Sequence, residues 1–206
     1  MRTFRKIFVL CIGPLIILGL AYLIIDSISQ PVRFNKEFKQ REAVAIERLK
    51  DIRTLQVTYK SKFGDFTNSM DTLLDFYKNG EISIIRQIGS FDDSLAVAQK
   101  LVRRDSVKIA VRDTLFNHRP GFHIDSLRFV PFSGKKETIL ETAIRQISGI
   151  SVPLFSASMP YEHLLAGMDT QLIINLISEK RDVFKRYAGV RVGSTDAPNN
   201  NAGNWE

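Results

Sequence analysis

The chain opens with an unbroken apolar run and continues into a periodic amphipathic stretch. Residues 7–25 read IFVLCIGPLIILGLAYLII and contain no charged side chain. A helix of this length spans roughly 28 Å, close to the hydrocarbon core of a bilayer at about 30 Å. The run therefore predicts a transmembrane anchor that crosses the membrane once. A cleaved signal peptide is the alternative, with Ser27-Ile28-Ser29 as the cleavage site before Gln30. Signal peptides, however, have an apolar core of only about 7–15 residues.

The flanking charges give the expected orientation of this anchor. Arg2, Arg5 and Lys6 lie directly before the apolar run, whereas the first charge after it is Asp26. Basic residues close to a membrane span favour the cytoplasmic side. We therefore expect the N-terminus in the cytoplasm and the C-terminal part on the other side of the membrane.

The stretch from Phe34 to Phe63 has the pattern of a long amphipathic helix. It contains no Gly or Pro, and Gly64 follows as a helix-ending residue. Apolar residues recur at intervals of three, four and seven, with Gln56 in one of these places. The stripe consists of Phe38, Ala45, Leu49, Ile52, Gln56, Tyr59 and Phe63. So narrow a stripe is expected to pack on a sheet or on a partner helix.

The rest of the chain predicts short elements, mostly strands. Thr67 or Asn68 can cap a short helix that continues to about Tyr77, and Asn79-Gly80 ends it. The remaining expected elements are strands at 81–88 and near 106–112, 125–132 and 150–156, a short helix at 160–165, a buried strand at 171–177 (QLIINLI), a helical turn at 179–187 and a last strand at 189–193.

Two segments of the distal part are ambiguous. Residues 137–147 fit a helical face, but turns on both sides favour one arm of a β-hairpin. The end of the chain, STDAPNNNAGNWE, is too polar to form a core and is expected to be extended or mobile. Trp205 is the exception, and its large ring is expected to dock on this domain or on a neighbouring subunit.

These elements define an α+β fold class, in which the N-terminal helix continues into a long amphipathic helix packed on an antiparallel β-sheet. The expected organisation is a cytoplasmic N-terminus, the anchor, a juxtamembrane basic helix, an α+β domain and a polar tail. Their bounds are 1–6, 7–25, 26–63, 64–193 and 194–206.

The charge of +7 on 206 residues is concentrated just beyond the anchor. Residues 33–62 hold nine basic and four acidic side chains, whereas residues 63–206 hold 17 of each. This basic collar would attract anionic lipid headgroups; the alternative is a solvated helix face. The neutral distal part argues against nucleic-acid binding, which needs a basic groove with aromatic side chains.

The sequence contains no constellation typical of an enzyme. The three histidines, His118, His123 and His163, have no metal-binding motif, and Cys11, the sole cysteine, lies in the anchor. Asp92-Asp93 is better explained as the start of a helix than as a catalytic pair. The chain has neither a Gly-x-Ser-x-Gly motif nor a glycine-rich phosphate loop. We expect a non-enzymatic protein without catalytic residues, metal or cofactor.

The segment REAVAIERLKDIRTLQVTYKSKFGDFTNSMDTLLDFYKNG resembles the start of type IV pilins and type II secretion pseudopilins. The turn at Tyr59–Gly64 is similar to theirs, but the position five after Gly13 is Leu18, where a processed pilin has Glu. The chain also resembles an uncharacterised family of bacterial single-pass membrane-anchored envelope proteins through PVRFNKE and NNNAGNWE. The first resemblance implies a pilin-like layout, and the second implies no activity.

Together these patterns give two expectations for function. The first is a structural or assembly component of a bacterial envelope complex, anchored in the inner membrane with its domain in the periplasm. Its partners would be the lipid bilayer and other envelope proteins or further copies of itself. The second is a tethered periplasmic module that binds a ligand or a peptide.

Overall fold

One long helix organises the whole molecule. The computed structural model describes residues 13–88, 103–117 and 119–206, and its first element is helix α1, Gly13–Phe63. The 51 residues of α1 extend about 75 Å. Its N-terminal stretch is long and apolar enough to cross a membrane, and none of that stretch is buried inside the protein. The molecule is therefore compatible with a membrane anchor; residues 7–12 of the predicted span lie outside the described residues.

The anchor and the amphipathic helix form one continuous element. Pro31 lies inside α1 and removes one backbone hydrogen bond. Close to it, the Ser29 hydroxyl donates to the Ile25 carbonyl over 2.6 Å. The helix ends as predicted, because Gly64 takes a φ of +85° and its N–H donates to the Lys60 carbonyl.

The second helix, α2, spans Met70–Asn79. Its cap is Ser69, whose hydroxyl accepts the Thr72 N–H, and not Thr67 or Asn68 as the sequence predicted. Thr67 supports this cap instead, since its hydroxyl accepts the N–H of Ser69. Leu73, Leu74 and Phe76 are buried on the inner face of α2.

Two antiparallel sheets follow, consistent with the predicted α+β class. Strand β1 (Glu81–Ile88) pairs with β2 (Arg103–Ala110), and a short helix, α3 (Val111–Thr114), follows β2. The second sheet has the order β3-β4-β5. Its strands are β3 (Ile139–Ile147), β4 (Ile150–Pro160) and β5 (Gly189–Gly193).

Several strand predictions are confirmed with shifted bounds. Residues 81–88 and 189–193 form strands as predicted. The ambiguous segment 137–147 forms, from Ile139 on, the first strand of a β-hairpin. The strand predicted near 106–112 ends at Ala110, because Val111 begins α3 with its side chain buried. The strand predicted at 150–156 continues to Pro160, along the part of β4 that pairs with β5.

Two predicted strands are wrong. Near 125–132 the chain instead forms a 3₁₀ helix, Ile124–Arg128, after which Phe129 makes a single bridge to Glu137. QLIINLI lies in a helix, α5 (Thr170–Ser178), whose cap Asp169 accepts the Leu172 N–H; the short helix predicted at 160–165 precedes it as α4 (Tyr161–Leu164). A short apolar run does not distinguish a buried strand from a helix, and the cap at Asp169 decides for the helix. The predicted helical turn after it is present as a π-helical turn, Glu179–Val183.

The core lies between α1 and the three-stranded sheet. Ala45, Leu49, Ile52 and Leu55 are fully buried on one face of α1, which packs against β4 and β5. The sheet contributes Phe155, Ala157, Met159, Val190 and Val192, and all of these belong to one apolar cluster. The middle of the predicted stripe, from Ala45 to Gln56, is thus confirmed as a face that packs on a sheet. Phe63 at the end of the stripe is 54% exposed, and the buried Leu55 was not predicted.

The end of the chain folds back onto the sheet, in contrast to the extended or mobile tail expected from its composition. The Asn204 N–H donates to the Arg191 carbonyl, and Val192 bridges Gly203. Trp205 packs against the core, which confirms that it docks on its own domain. Burial of the indole ring and these backbone hydrogen bonds stabilise the ordered tail, although its other residues are too polar to form a core.

Candidate functional site

Part of the basic collar holds the domain to α1. The Arg41 guanidinium donates to the Leu164 and Ala166 carbonyls, at the end of a short helix, α4 (Tyr161–Leu164). The Arg48 guanidinium donates to the Ser126 and Phe129 carbonyls, and burial lowers the pKa of Arg48. These two arginines have structural partners and are not free to attract lipid.

The membrane-proximal part of the collar borders a groove of about 400 Å³. Arg33 and Lys36 line it together with Val44 and Phe132. The Arg41 guanidinium lies 4.9 Å from the centre of the Phe132 ring, which remains 54% exposed. The groove combines cations with an exposed aromatic ring on the side that faces the apolar N-terminal stretch of α1.

A second cleft, of about 210 Å³, lies beside Asp51. Arg119 donates to Asp51 Oδ1 over 2.6 Å and to Glu47 over 3.3 Å. Asp51 Oδ2 is buried without a hydrogen-bond partner among the described residues. Burial raises the pKa of Asp51, and the ion pair with Arg119 opposes this shift. The Arg119 guanidinium also lies 5.1 Å from the centre of the Phe122 ring. Arg119 therefore connects the loop that contains Phe122 to Asp51 and Glu47 of α1.

The largest of these clefts lies between the end of the chain and the π-helical turn. We call it the C-terminal cleft; its volume is about 620 Å³. It is bordered by Glu42, Tyr161, Lys180, Lys185, Arg186, Tyr187, Gly189, Val190, Arg191, Asn204, Trp205 and Glu206.

Backbone and side-chain bonds of the tail build one wall of the C-terminal cleft. The Asn204 amide donates to the Gly189 carbonyl, and its oxygen accepts the Arg191 N–H over 3.0 Å. A Cβ atom at Gly203 would lie 2.4 Å from the Trp205 ring, so only glycine permits this close approach. The geometry of the tail therefore fixes the indole at the edge of the cleft.

Both acidic groups of the C-terminal cleft already have partners. Glu42 accepts the Tyr161 hydroxyl over 2.7 Å, and burial together with Glu42 raises the pKa of Tyr161. Glu206 accepts Arg53 over 2.7 Å, and this bond lowers the pKa of Glu206. Among the described residues, no ion pair involves the four cations of the cleft, which are Lys180, Lys185, Arg186 and Arg191.

A different kind of surface lies at the tip of the β3–β4 hairpin. We call the whole hairpin, residues 139–160, the hairpin arm. Strand β5 pairs only with Ser156–Pro160, so the tip extends past the rest of the sheet. Ile144 and Ile150 are 64% and 68% exposed, and Ile147 pairs with Ile150 at the end of the ladder. The tip thus presents apolar side chains to solvent.

The two edges of this sheet differ. The tail bridges the outer side of β5 through Val192 and Gly203. In the part of the chain that the structure describes, no strand pairs with the outer side of β3. An open edge offers unpaired N–H and C=O groups to an incoming strand. The part of β4 that β5 leaves uncovered contains Pro153, which has no N–H to offer.

The residues considered for metal chemistry do not come together. Across residues 13–88, 103–117 and 119–206, no group of three or more His, Cys, Asp or Glu side chains could hold a metal ion. His123 is exposed, and His163 is half-buried with an unpaired Nδ1 among these residues. Cys11, Asp92-Asp93 and His118 lie outside the described residues.

Comparison with known proteins gives no assignment. The chain matches no protein-family model, no curated protein and no solved structure. Function must therefore be argued from the surfaces described above. Sequence reasoning did not find the C-terminal cleft, although the cluster of Lys180, Arg181, Lys185 and Arg186 around Asp182, Val183 and Phe184 is a visible signal.

Proposed function

We propose that this protein is a non-enzymatic structural or assembly component of a bacterial envelope complex. It is held in the inner membrane by the N-terminal part of α1, with its N-terminus in the cytoplasm and its α+β domain in the periplasm. The layout of one long helix packed on an antiparallel sheet is pilin-like. The hairpin arm is the surface that meets the partner, which is another envelope protein or a second copy of this chain.

The hairpin arm is the observation that carries this proposal. The exposed isoleucines at its tip have no partner surface among the described residues, although each would release free energy on burial. The open edge of β3 adds backbone groups that a partner strand can pair with. Proteins anchored in the same membrane have a high effective concentration for one another. A modest contact area at the hairpin arm would therefore be enough for association.

Site-specific crosslinking in the native membrane tests this function. A photo-reactive residue placed at Ile147 is expected to give one discrete adduct, and Ile144→Asp is expected to abolish it. The same photo-reactive residue at Thr54, an exposed position on α1, is the matched control. Mass spectrometry of the adduct identifies an envelope protein or a second copy. Recovery of only uncrosslinked chain at Ile147 would contradict the proposal.

The second candidate function is a tethered module that binds a ligand, and the C-terminal cleft favours it. Ligand sites commonly have volumes of about 300–1,000 Å³, and this cleft has about 620 Å³. Its lining is polar and rich in cations, which differs from the apolar pocket typical of neutral ligands. A binding function of this cleft would not require the hairpin arm.

A further inference from the structure

We propose that the C-terminal cleft binds a small molecule that carries a phosphate group next to a flat apolar part. This inference rests on the second candidate function above and names the ligand class for it. Its three supports are the unbalanced charge of the cleft, its aromatic border and the way in which the chain end is ordered around it.

The charge of the cleft is unbalanced in favour of an anion. Glu206 is paired with Arg53, and Glu42, which accepts a bond from the uncharged Tyr161 hydroxyl, keeps its negative charge. The four cations at the border therefore outnumber the one acidic group left to balance them. The three cations Lys180, Lys185 and Arg186 occur within seven residues. Like charges gathered in one place repel each other, and a bound anion relieves that repulsion.

The chemistry of these cations suits a phosphate group. Arginine presents a planar fork of donors that matches two phosphate oxygens, and lysine adds a compact positive charge. Lys180 lies in the π-helical turn and Lys185 just after it, whereas Arg191 belongs to β5, and all three line the cleft. Donors from two different elements can approach a phosphate group from two directions.

The aromatic border gives the cleft a second kind of contact. Trp205, Tyr187 and Tyr161 all line it. The Arg191 guanidinium already lies over the Tyr187 ring at 5.2 Å, which shows that a flat cationic group fits against this border. A flat apolar group joined to the phosphate can pack against the indole of Trp205.

The order of the chain end supports a role for the cleft. Asn204 fixes the tail to Gly189 and Arg191, and Arg53 fixes the last residue, Glu206. These bonds hold the sole tryptophan at the border of a basic cavity. The same arrangement provides a direct probe, because tryptophan emission from this protein reports on Trp205 alone.

The experiment is a fluorescence titration of the full chain in protein-free bicelles of phosphatidylcholine, so that Trp205 is the sole tryptophan in the sample. Phenyl phosphate is expected to change the Trp205 emission saturably, with a Kd at least tenfold below that of inorganic phosphate. The double variant Lys185→Gln/Arg186→Gln is expected to weaken phenyl phosphate binding at least tenfold. Both side chains are exposed, so melting temperature and circular dichroism should match those of the wild type.

Lys135→Gln/Lys136→Gln is the matched control, since it removes the same charge from exposed residues that do not line the cleft. Its Kd is expected to equal that of the wild type. An equal loss of affinity in both double variants would overturn the inference, because binding would then follow net charge alone. Absence of a saturable response in the wild type would also overturn it.

A second experiment determines whether the phosphate group belongs to a lipid headgroup or to a free ligand. Bicelles that contain phosphatidylglycerol are compared with phosphatidylcholine bicelles before phenyl phosphate is added. A change in Trp205 emission that Lys185→Gln/Arg186→Gln abolishes assigns the cleft to a lipid headgroup. Saturable phenyl phosphate binding without that change assigns it to a free ligand. Crosslinking at Ile147 does not involve the cleft, so the two proposals can fail separately.

Discussion

Asp51 shows how one buried carboxyl group links the fold to pH. One of its oxygens accepts Arg119, and the other has no partner among the described residues. Burial raises the pKa of Asp51 above its ordinary value of 3.8. The folded state therefore takes up a proton at a higher pH than the unfolded state, so stability from this group increases as pH falls toward that value.

We predict that the melting temperature of the wild type, relative to that of Asp51→Asn, rises as the pH is lowered from 7 toward 4. The reason is that the asparagine variant has no carboxyl group to neutralise at this position. Thermal unfolding of both proteins in the same detergent measures this difference. Asn68→Ala, at an exposed position on the loop after α1, changes no titratable group, so it is the control and should give a constant difference. A constant difference for Asp51→Asn as well would argue against the raised pKa.

Gln56 is the polar residue in the apolar stripe of α1, and the structure explains its place. It is fully buried; its amide donates to the Thr67 carbonyl over 2.6 Å, and its oxygen accepts the Thr67 N–H over 3.2 Å. It thus satisfies both backbone groups of a buried loop residue. The sequence predicted the position of Gln56 on the inner face but gave no sign of its partner, eleven residues further on.

We predict that Gln56→Leu lowers the free energy of unfolding by about 2–4 kcal/mol, because two buried backbone groups lose their partner. For a chain of this size that corresponds to roughly 5–15 °C in melting temperature. Thermal unfolding in detergent measures the shift. Gln40→Leu, at an exposed position on the same helix, should change the melting temperature by no more than 2 °C. Equal small shifts in the two variants would show that the Gln56 bonds do not stabilise the fold.

At the scale of elements, periodic patterns were predicted well and short apolar runs were not. The amphipathic stretch at 34–63 has many repeats of one period, so its helix and buried face follow directly from sequence. QLIINLI has seven residues, which fit a strand or two helical turns equally well. Its identity depends on Asp169 as a cap and on packing against residues far away in sequence.

The C-terminal cleft could not be predicted, for a related reason. Its border combines α1, α4, the π-helical turn, β5 and the tail, and these meet only after the chain has folded. The tail itself has too few apolar residues to order alone. Its order comes from the edge of β5 and from the indole of Trp205, both of which are long-range contacts.

Helix α1 is the element on which the domain depends. Leu49 is fully buried between this helix and the sheet, whereas Val57 on the same helix is 45% exposed. We predict that Leu49→Asp lowers the free energy of unfolding by more than about 4 kcal/mol, because it places a charge in an apolar seam. Val57→Asp should cost less than about 1 kcal/mol. If differential scanning fluorimetry finds the same melting temperature for both variants, the helix does not support the domain.

At the scale of the whole molecule, the proposed topology can be read from reporters. Alkaline phosphatase joined after Glu206 through a flexible linker is expected to be active, since that enzyme requires the periplasm. The matched fusion of a green fluorescent protein at the same site is expected to be dark. Fluorescence from that fusion, with inactive phosphatase, would place the domain in the cytoplasm and reverse the topology.

Retention of the anchor is a separate prediction for the whole molecule. The helix continues without interruption through Ser27-Ile28-Ser29, the alternative cleavage site. We expect the protein isolated from membranes to keep residues 7–25, and its intact mass measures this directly. A mature N-terminus at Gln30 would show that the apolar run is a signal peptide.

The continuity of α1 has a mechanical consequence. From Pro31 to Phe63 the helix extends about 48 Å, so with the proposed membrane span as its short arm it would act as a lever. A membrane span tilts to adjust its apolar length to the thickness of the bilayer. A tilt of about 10° would displace the far end of the helix by about 8 Å sideways, if Pro31 transmits the rotation. Bilayer thickness would then set how far the hairpin arm reaches toward its neighbours.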